Sequence, residues 1–236
     1  MIKVAIFVEG LTEKKFINEL IARRYGHLPY QIKEIRFRTW EQYVPLQALK
    51  DSPSLTCGFL IVEVPSYDNL FSYVIDSAAG MVHKRGFNLL IGLRDLHPSK
   101  RSDKMVIVRM NDRILAGRPE RDRIALILAV METEAWFLCD AHVFERIHSS
   151  LTPGYIQTKL NLDLVNDDPE IAYDAPSETL DSILRLVNLR YRKHEAEVDS
   201  VVNNIDYSYL CSCFTRVDSF FKFLDALDRS GLQSRI

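Results

Sequence analysis

The sequence has no stretch able to span a bilayer: its longest apolar runs, such as residues 124–131, fall far short of the roughly 20 residues a membrane helix needs. The N-terminus has no charged leader ahead of an apolar segment, so no signal peptide is expected and the chain is assigned to the cytoplasm. Cysteine is sparse. Cys57, Cys139, Cys211 and Cys213 are irregularly spaced, and Cys211-Ser212-Cys213 fits neither a zinc knuckle nor a redox pair. They are read as buried thiols. Charge of one sign is also missing. With 30 basic and 32 acidic residues the net charge is -2, which gives no overall field to draw in nucleic acid, so any phosphate contact must come from a local patch. No internal repeat or low-complexity tract is present. What remains is 236 residues, 47% of them apolar, enough to bury the core of one large domain or of a domain with a substantial appendage.

Apolar patterning supplies the fold class. Residues 2–8 (IKVAIFV) are apolar and β-branched and run into Glu9-Gly10, which predicts a buried strand entering a tight turn. A helix is expected next, with Phe16, Ile17, Leu20 and Ile21 at helical spacing, Thr12 as N-cap, Glu13 at the positive helix start and Gly26 as the stop. The unit recurs as strand 58–64 followed by an amphipathic stretch to about Lys84, and as a run from Phe87 that ends at Asp95. Residues 124–131 form a further strand, after which Glu132-Thr133-Glu134-Ala135-Trp136 turns helical, and 32–40 is a candidate extra strand. Alternating strands and helices predict an α/β fold with a mostly parallel sheet flanked by helices, Rossmann-like in layering. This domain is placed at 1–145, with a C-terminal helical region at 146–236 packed on it. Pro153-Gly154, the acidic stretch 163–170 and Asp174-Ala-Pro-Ser are read as loops. Helices are expected from Ser177, carrying Leu180, Ile183, Leu184, Val187 and Tyr191, and near 209–227, carrying Phe214, Val217, Phe220, Phe221 and Leu224.

Ligands in open parallel sheets bind beyond the carboxyl ends of the strands, so acids just past those ends can converge across long sequence separations. Glu9 follows the first run, Asp95 ends the third, and Glu132 and Glu134 follow the fourth. Like charges gathered in one cleft repel, and a divalent cation relieves this; Mg²⁺ or Mn²⁺ suits an all-carboxylate set. Such an ion can polarise a phosphoryl oxygen while another carboxylate handles protons. Glu132 and Glu134 would face nearly opposite ways in a regular helix, so Glu134 is preferred, with Glu132 close behind should the turn aim both inward.

Val8-Glu9-Gly10-Leu11-Thr12-Glu13 after an apolar strand resembles the V-E-G-x-(S/T)-E signature of TOPRIM-type domains, found in primases, topoisomerases and the overcoming-lysogenization-defect nucleases. The stretch from Glu132 through Glu134-Ala135 and Leu138 to Asp140 resembles the E-x-E-(A/S)-x-x-L-x-(A/C)-D segment of a bacterial TOPRIM-like family of unknown function, and Cys213-Phe214 with Phe220 and Leu224 resembles its closing helix. The resemblance implies a TOPRIM-like fold in which Glu9 serves as general acid or base and sometimes as metal ligand, and Asp95 as the first acid of a D-x-D pair. Here that motif reads Asp95-Leu96-His97, with an imidazole in place of the second carboxylate, which would shift metal preference toward Mn²⁺.

Around this core, His97 is read as ligand, general acid or exposed loop residue, and Glu13 as a supporting acid. Arg94 could pair with the carboxylates and stand in for a metal. The loop carrying Lys100, Arg101 and Lys104 follows directly and is expected to position phosphate. Other basic groups, Arg190 with Arg192-Lys193 among them, are read as solvated faces. Trp136, Phe220 and Phe221 are read as core. The expectation is a metal-dependent nuclease acting on DNA or RNA. Its relatives imply phage or mobile-element defence and a partner ATPase or other defence protein. The alternatives are a TOPRIM-like binding subunit without catalysis, or an enzyme acting on a nucleotide-sized phosphate.

Overall fold

The computed structural model describes residues 1–36, 52–64, 70–213 and 216–235. The sheet is five-stranded with order β2-β3-β1-β4-β5, and every pairing is parallel: β1 (Ile2–Val8), β2 (Tyr30–Arg36), β3 (Cys57–Glu63), β4 (Leu89–Asp95) and β5 (Ile124–Ala129). The central strands read as continuous apolar runs because both faces of the sheet are covered. Val4, Ile6, Phe59, Ile61, Ile91 and Ile127 face one core; Ala5, Phe7, Leu60, Val62, Leu90 and Leu128 face the other.

The second face is closed by α2 (Leu70–Ala79) and α3 (Lys104–Ala116). Gly92 lets α2 approach β4 closely, since a Cβ there would lie 2.9 Å from Val74 Cγ2. The first face carries α1 (Leu11–Tyr25) and the C-terminal helices, whose apolar residues join the same core cluster as the strands. Phe16 on α1 is the keystone there. Its ring lies 5.7 Å from Trp136 and 5.1 Å from Phe137, and Trp136 lies 5.1 Å from Phe220. Residues 146–236 are therefore the outer layer of the sheet's own core.

The strand and early-helix readings survive with small changes. The N-cap of α1 is Gly10 rather than Thr12, which is buried; the Glu13 carboxylate reaches back to accept the Gly10 N–H at 3.0 Å. The 32–40 strand begins earlier, at Tyr30, and its portion beyond Arg36 lies outside the described residues, as do 65–69 and Phe214.

The expected loops after Asp140 are in part helical. α4 (Glu134–Leu138) and α5 (Val143–Ile147) are followed by α6 (Pro153–Leu160) and α7 (Pro169–Ala172), which begin on Pro153 and Pro169. Proline at the first helical position starts a helix rather than breaking one, and Thr152 and Asp168 cap these two. α8 (Pro176–Arg185) and α9 (Glu195–Val202) come next. The single helix expected over 209–227 is two, α10 (Tyr207–Ser212) and α11 (Asp218–Asp228), and Phe221 is 46% exposed rather than core. The four cysteines are free. Among the described residues, no helix is long and apolar enough to cross a membrane.

Candidate functional site: a carboxylate cluster at the carboxyl edge of the sheet

β1 and β4 are neighbours, so their carboxyl ends lie side by side. Glu9, one residue past β1, accepts the Asp95 N–H through Oε1 at 3.2 Å. Asp95 closes β4, and its Oδ1 accepts both the N–H and the hydroxyl of Thr133, each at 2.9 Å. After β5 the chain turns at Met131, whose φ of 62° is left-handed, and the His97 N–H bonds the Met131 carbonyl at 2.8 Å. That turn leaves Glu132 before α4 and makes Glu134 its first residue, which lets both point inward despite their spacing.

Glu132 and Glu134 meet on one cation, the ammonium of Lys193. Its Nζ lies 3.2 Å from Glu132 Oε1 and 3.0 Å from Glu134 Oε1. Glu132 is otherwise satisfied by the Ser177 N–H at 2.7 Å and hydroxyl at 2.9 Å. Glu134 is fully buried; its Oε1 also accepts the Tyr191 hydroxyl at 3.1 Å, while its Oε2 is buried with no hydrogen-bond partner.

The electrostatics follow from this crowding. Burial, then the neighbouring Glu13 carboxylate, raises Glu9 from 4.5 to about 8. Burial, then Glu134, raises Glu13 to about 7. Asp95 is pushed well above the usual carboxylate range by burial and then by Glu13, Glu134 and Glu9. Burial also raises Glu134. Glu132 alone falls below its ordinary value: burial acts against it, but Lys193 and Ser177 more than offset that. Lys193 is held above its ordinary value by Glu134, Glu132 and Asp95 against the desolvation that would lower it.

The His97 side chain is exposed, and among the described residues no hydrogen bond or ion pair joins its ring to the carboxylates. Arg94 makes no described salt bridge with the carboxylates, although its charge lowers the pKa of Glu9. Its guanidinium stacks 5.8 Å over the Phe71 ring, and its buried Nε has no partner. Arg101 is committed to structure: it donates to the carbonyls of Glu170 at 2.8 Å and Tyr173 at 3.0 Å, and to Asp174 at 2.6 Å, which ties its loop to α7. Lys104 sits 3.7 Å from Asp218 on α11. Lys100 is exposed, and its backbone N–H bonds Asp103 at 3.1 Å. Arg101 and Lys104 thus fasten the C-terminal layer, because acidic residues and free carbonyls there pack against this loop.

Sequence reading missed Lys193, Tyr191, Ser177 and Thr133. Lys193 sits in a basic run with no local apolar pattern, and only the docking of 176–202 onto the sheet brings it inward. Glu63, at the end of β3, is a further strand-end acid, but Lys14 at 3.1 Å and Arg36 at 2.5 Å pair with it.

Among the described residues, no group of three or more His, Cys, Asp or Glu side chains is placed to hold a metal ion. The donors of the cluster nonetheless suit a hard cation: they are carboxylate oxygens, they outnumber the one ammonium among them, and Glu134 Oε2 lacks a partner.

Fold and site together define an α/β protein with an acidic cluster at the carboxyl edge of a parallel sheet. The chain belongs to the family described as domain of unknown function DUF4276, whose model matches residues 8–225. Neither curated proteins nor solved structures yield a match.

Proposed function

We propose that this chain carries out divalent-metal-dependent phosphodiester chemistry on nucleic acid, as the TOPRIM resemblance of its first strand-turn-helix implies. The observation that carries the reading is Glu134 Oε2, buried and unpartnered within a cluster whose members raise one another's pKa. Asp95 and Glu134 would hold the ion, Mg²⁺ or Mn²⁺, which when bound supplies Lewis-acid polarisation of a phosphoryl oxygen. Thr133 fixes Asp95 Oδ1, leaving Oδ2 to face a ligand. Asp95 N–H fixes Glu9 Oε1, so Oε2 is the atom that takes or gives a proton. Glu13 holds the turn through Gly10.

Phage or mobile-element defence and a partner ATPase belong to the same proposal and rest on the resemblance alone. Purified protein incubated with plasmid DNA, single-stranded DNA and RNA in Mg²⁺ or Mn²⁺ should cleave at least one of them, and Glu9→Gln should abolish this. No wild-type cleavage, or equal cleavage by the variant, counts against the proposal. Lys193 favours a second reading, a binding subunit whose cluster is permanently neutralised by its own lysine. Calorimetry separates the two, since that subunit binds no divalent cation.

A further inference from the structure

The ammonium of Lys193 stands where a cation shared by Glu132 and Glu134 would stand. Both of its Oε1 partners lie within 3.2 Å of it. A divalent ion draws carboxylate oxygens to roughly 2 Å, so an ion that took up Glu134 would lie within a few ångströms of this ammonium. Two positive centres that close repel, and they would compete for the same oxygen.

Lys193 also has somewhere to go. Its side chain is 39% exposed and lines an open cavity of about 400 Å³ whose other walls include Glu178, Asp181 and Arg192. Glu178 is exposed on α8 and makes no described ion pair, so it can receive a displaced ammonium. The backbone at Lys193 has φ of 60°, in the left-handed region that is unfavourable for a residue with a Cβ. That strain is sustained while the ammonium is anchored in the cluster.

We propose that Lys193 is a tethered counter-ion that holds the carboxylate cluster closed, and that a divalent cation binds only by displacing its ammonium into the neighbouring cavity. This deepens the reading of the cluster as a metal site and rests on it. In the resting state the lysine balances Glu132 and Glu134, leaving Glu134 Oε2 without a partner. Cation binding satisfies that oxygen and frees the ammonium for the cavity, where an approaching phosphate would meet it beside Arg192.

The test uses the full chain and Mn²⁺ alone as probe, with no activity readout. If the binding-competent, lysine-out state is about a tenth of the population, Lys193→Met should bind Mn²⁺ about tenfold more tightly in calorimetry. A second measurement needs no variant. Amine acylation of the wild-type protein, read by mass spectrometry, should be slow at Lys193 in chelator and several-fold faster in saturating Mn²⁺, with the other lysines unchanged. Equal or weaker Mn²⁺ binding by Lys193→Met, or acylation of Lys193 indifferent to Mn²⁺ that is shown to bind, overturns the tethered counter-ion and leaves the metal reading standing. Absence of Mn²⁺ binding by both proteins overturns the metal reading itself, and the displacement with it.

Discussion

Replacing Glu9 by Gln should stabilise the metal-free protein while removing whatever chemistry Glu9 performs. Burial and the Glu13 carboxylate carry Glu9 from 4.5 to about 8. At about 1.4 kcal/mol per tenfold change, that shift corresponds to an unfavourable contribution on the order of 5 kcal/mol once Glu9 is fully ionised in the fold. Glu9 keeps part of its hydration, so we assign about half, roughly 2 kcal/mol, to folding stability. The sign follows from linkage. A carboxyl raised in the fold is neutral in both states at low pH, and its contribution to stability is lost as pH rises from the unfolded value of 4.5 through about 8. Glutamine keeps the oxygen that accepts the Asp95 N–H and never ionises. For a chain of this size, roughly 2–4 °C per kcal/mol applies, so Tm in chelator at about pH 9 should rise by about 4–8 °C. Near pH 4.5 the two proteins should melt together. Scanning calorimetry across that range is the assay. A variant no more stable than wild type at the alkaline end, or one whose gain is the same at both ends, would refute the electrostatic argument.

Other perturbations probe separate parts of the argument. Arg101→Ala should lower stability by about 1–3 kcal/mol through the loss of its bonds to Glu170, Tyr173 and Asp174; if nucleic acid binds, the salt dependence of that binding should not change, and a shallower salt slope would return Arg101 to a phosphate-contacting role. Ser219→Ala strips the Trp136 Nε1–H of its acceptor, which lies 2.8 Å away, and Glu170 of a donor, at a cost of about 1–3 kcal/mol in urea unfolding. Unchanged stability would mean that water replaces the hydroxyl at no cost. Gly92→Ala presses a Cβ to within 2.9 Å of Val74 Cγ2 and should cost about 1–3 kcal/mol, with Val74→Ala in the same chain restoring part of it.

What the sequence disclosed and what it withheld divide along one physical line. β1, β3, β4 and β5 were readable because a strand buried on both faces must be apolar throughout, and Glu9 and Asp95 were readable because each directly follows or ends such a run. Local pattern also carried α1 and the body of α8, although α8 ends at Arg185 and leaves Val187 and Tyr191, expected on it, beyond its end. It failed at α6, where Pro153-Gly154 was read as a loop although the proline stood at a first turn, and at α7, which starts inside the acidic stretch read as a loop. It failed again at Lys193, because the carboxylates that its ammonium pairs with are brought to it by tertiary docking and leave no mark on neighbouring residues. Arg101 and Lys104 illustrate the converse. Proximity in sequence to Asp95 suggested a shared task, yet their side chains turn toward α7 and α11.

The late position of Lys193 in the chain has a consequence for how the molecule comes into being. The strands that gather the acids are complete by Ala129, and Glu134 follows at once, whereas Ser177, Tyr191 and Lys193 emerge from the ribosome much later. Until that segment docks, the carboxylates lack the cation that the finished fold provides. Docking of the stretch from 176 to 193 is thus the step at which Glu132 and Glu134 gain a cation from the protein's own chain.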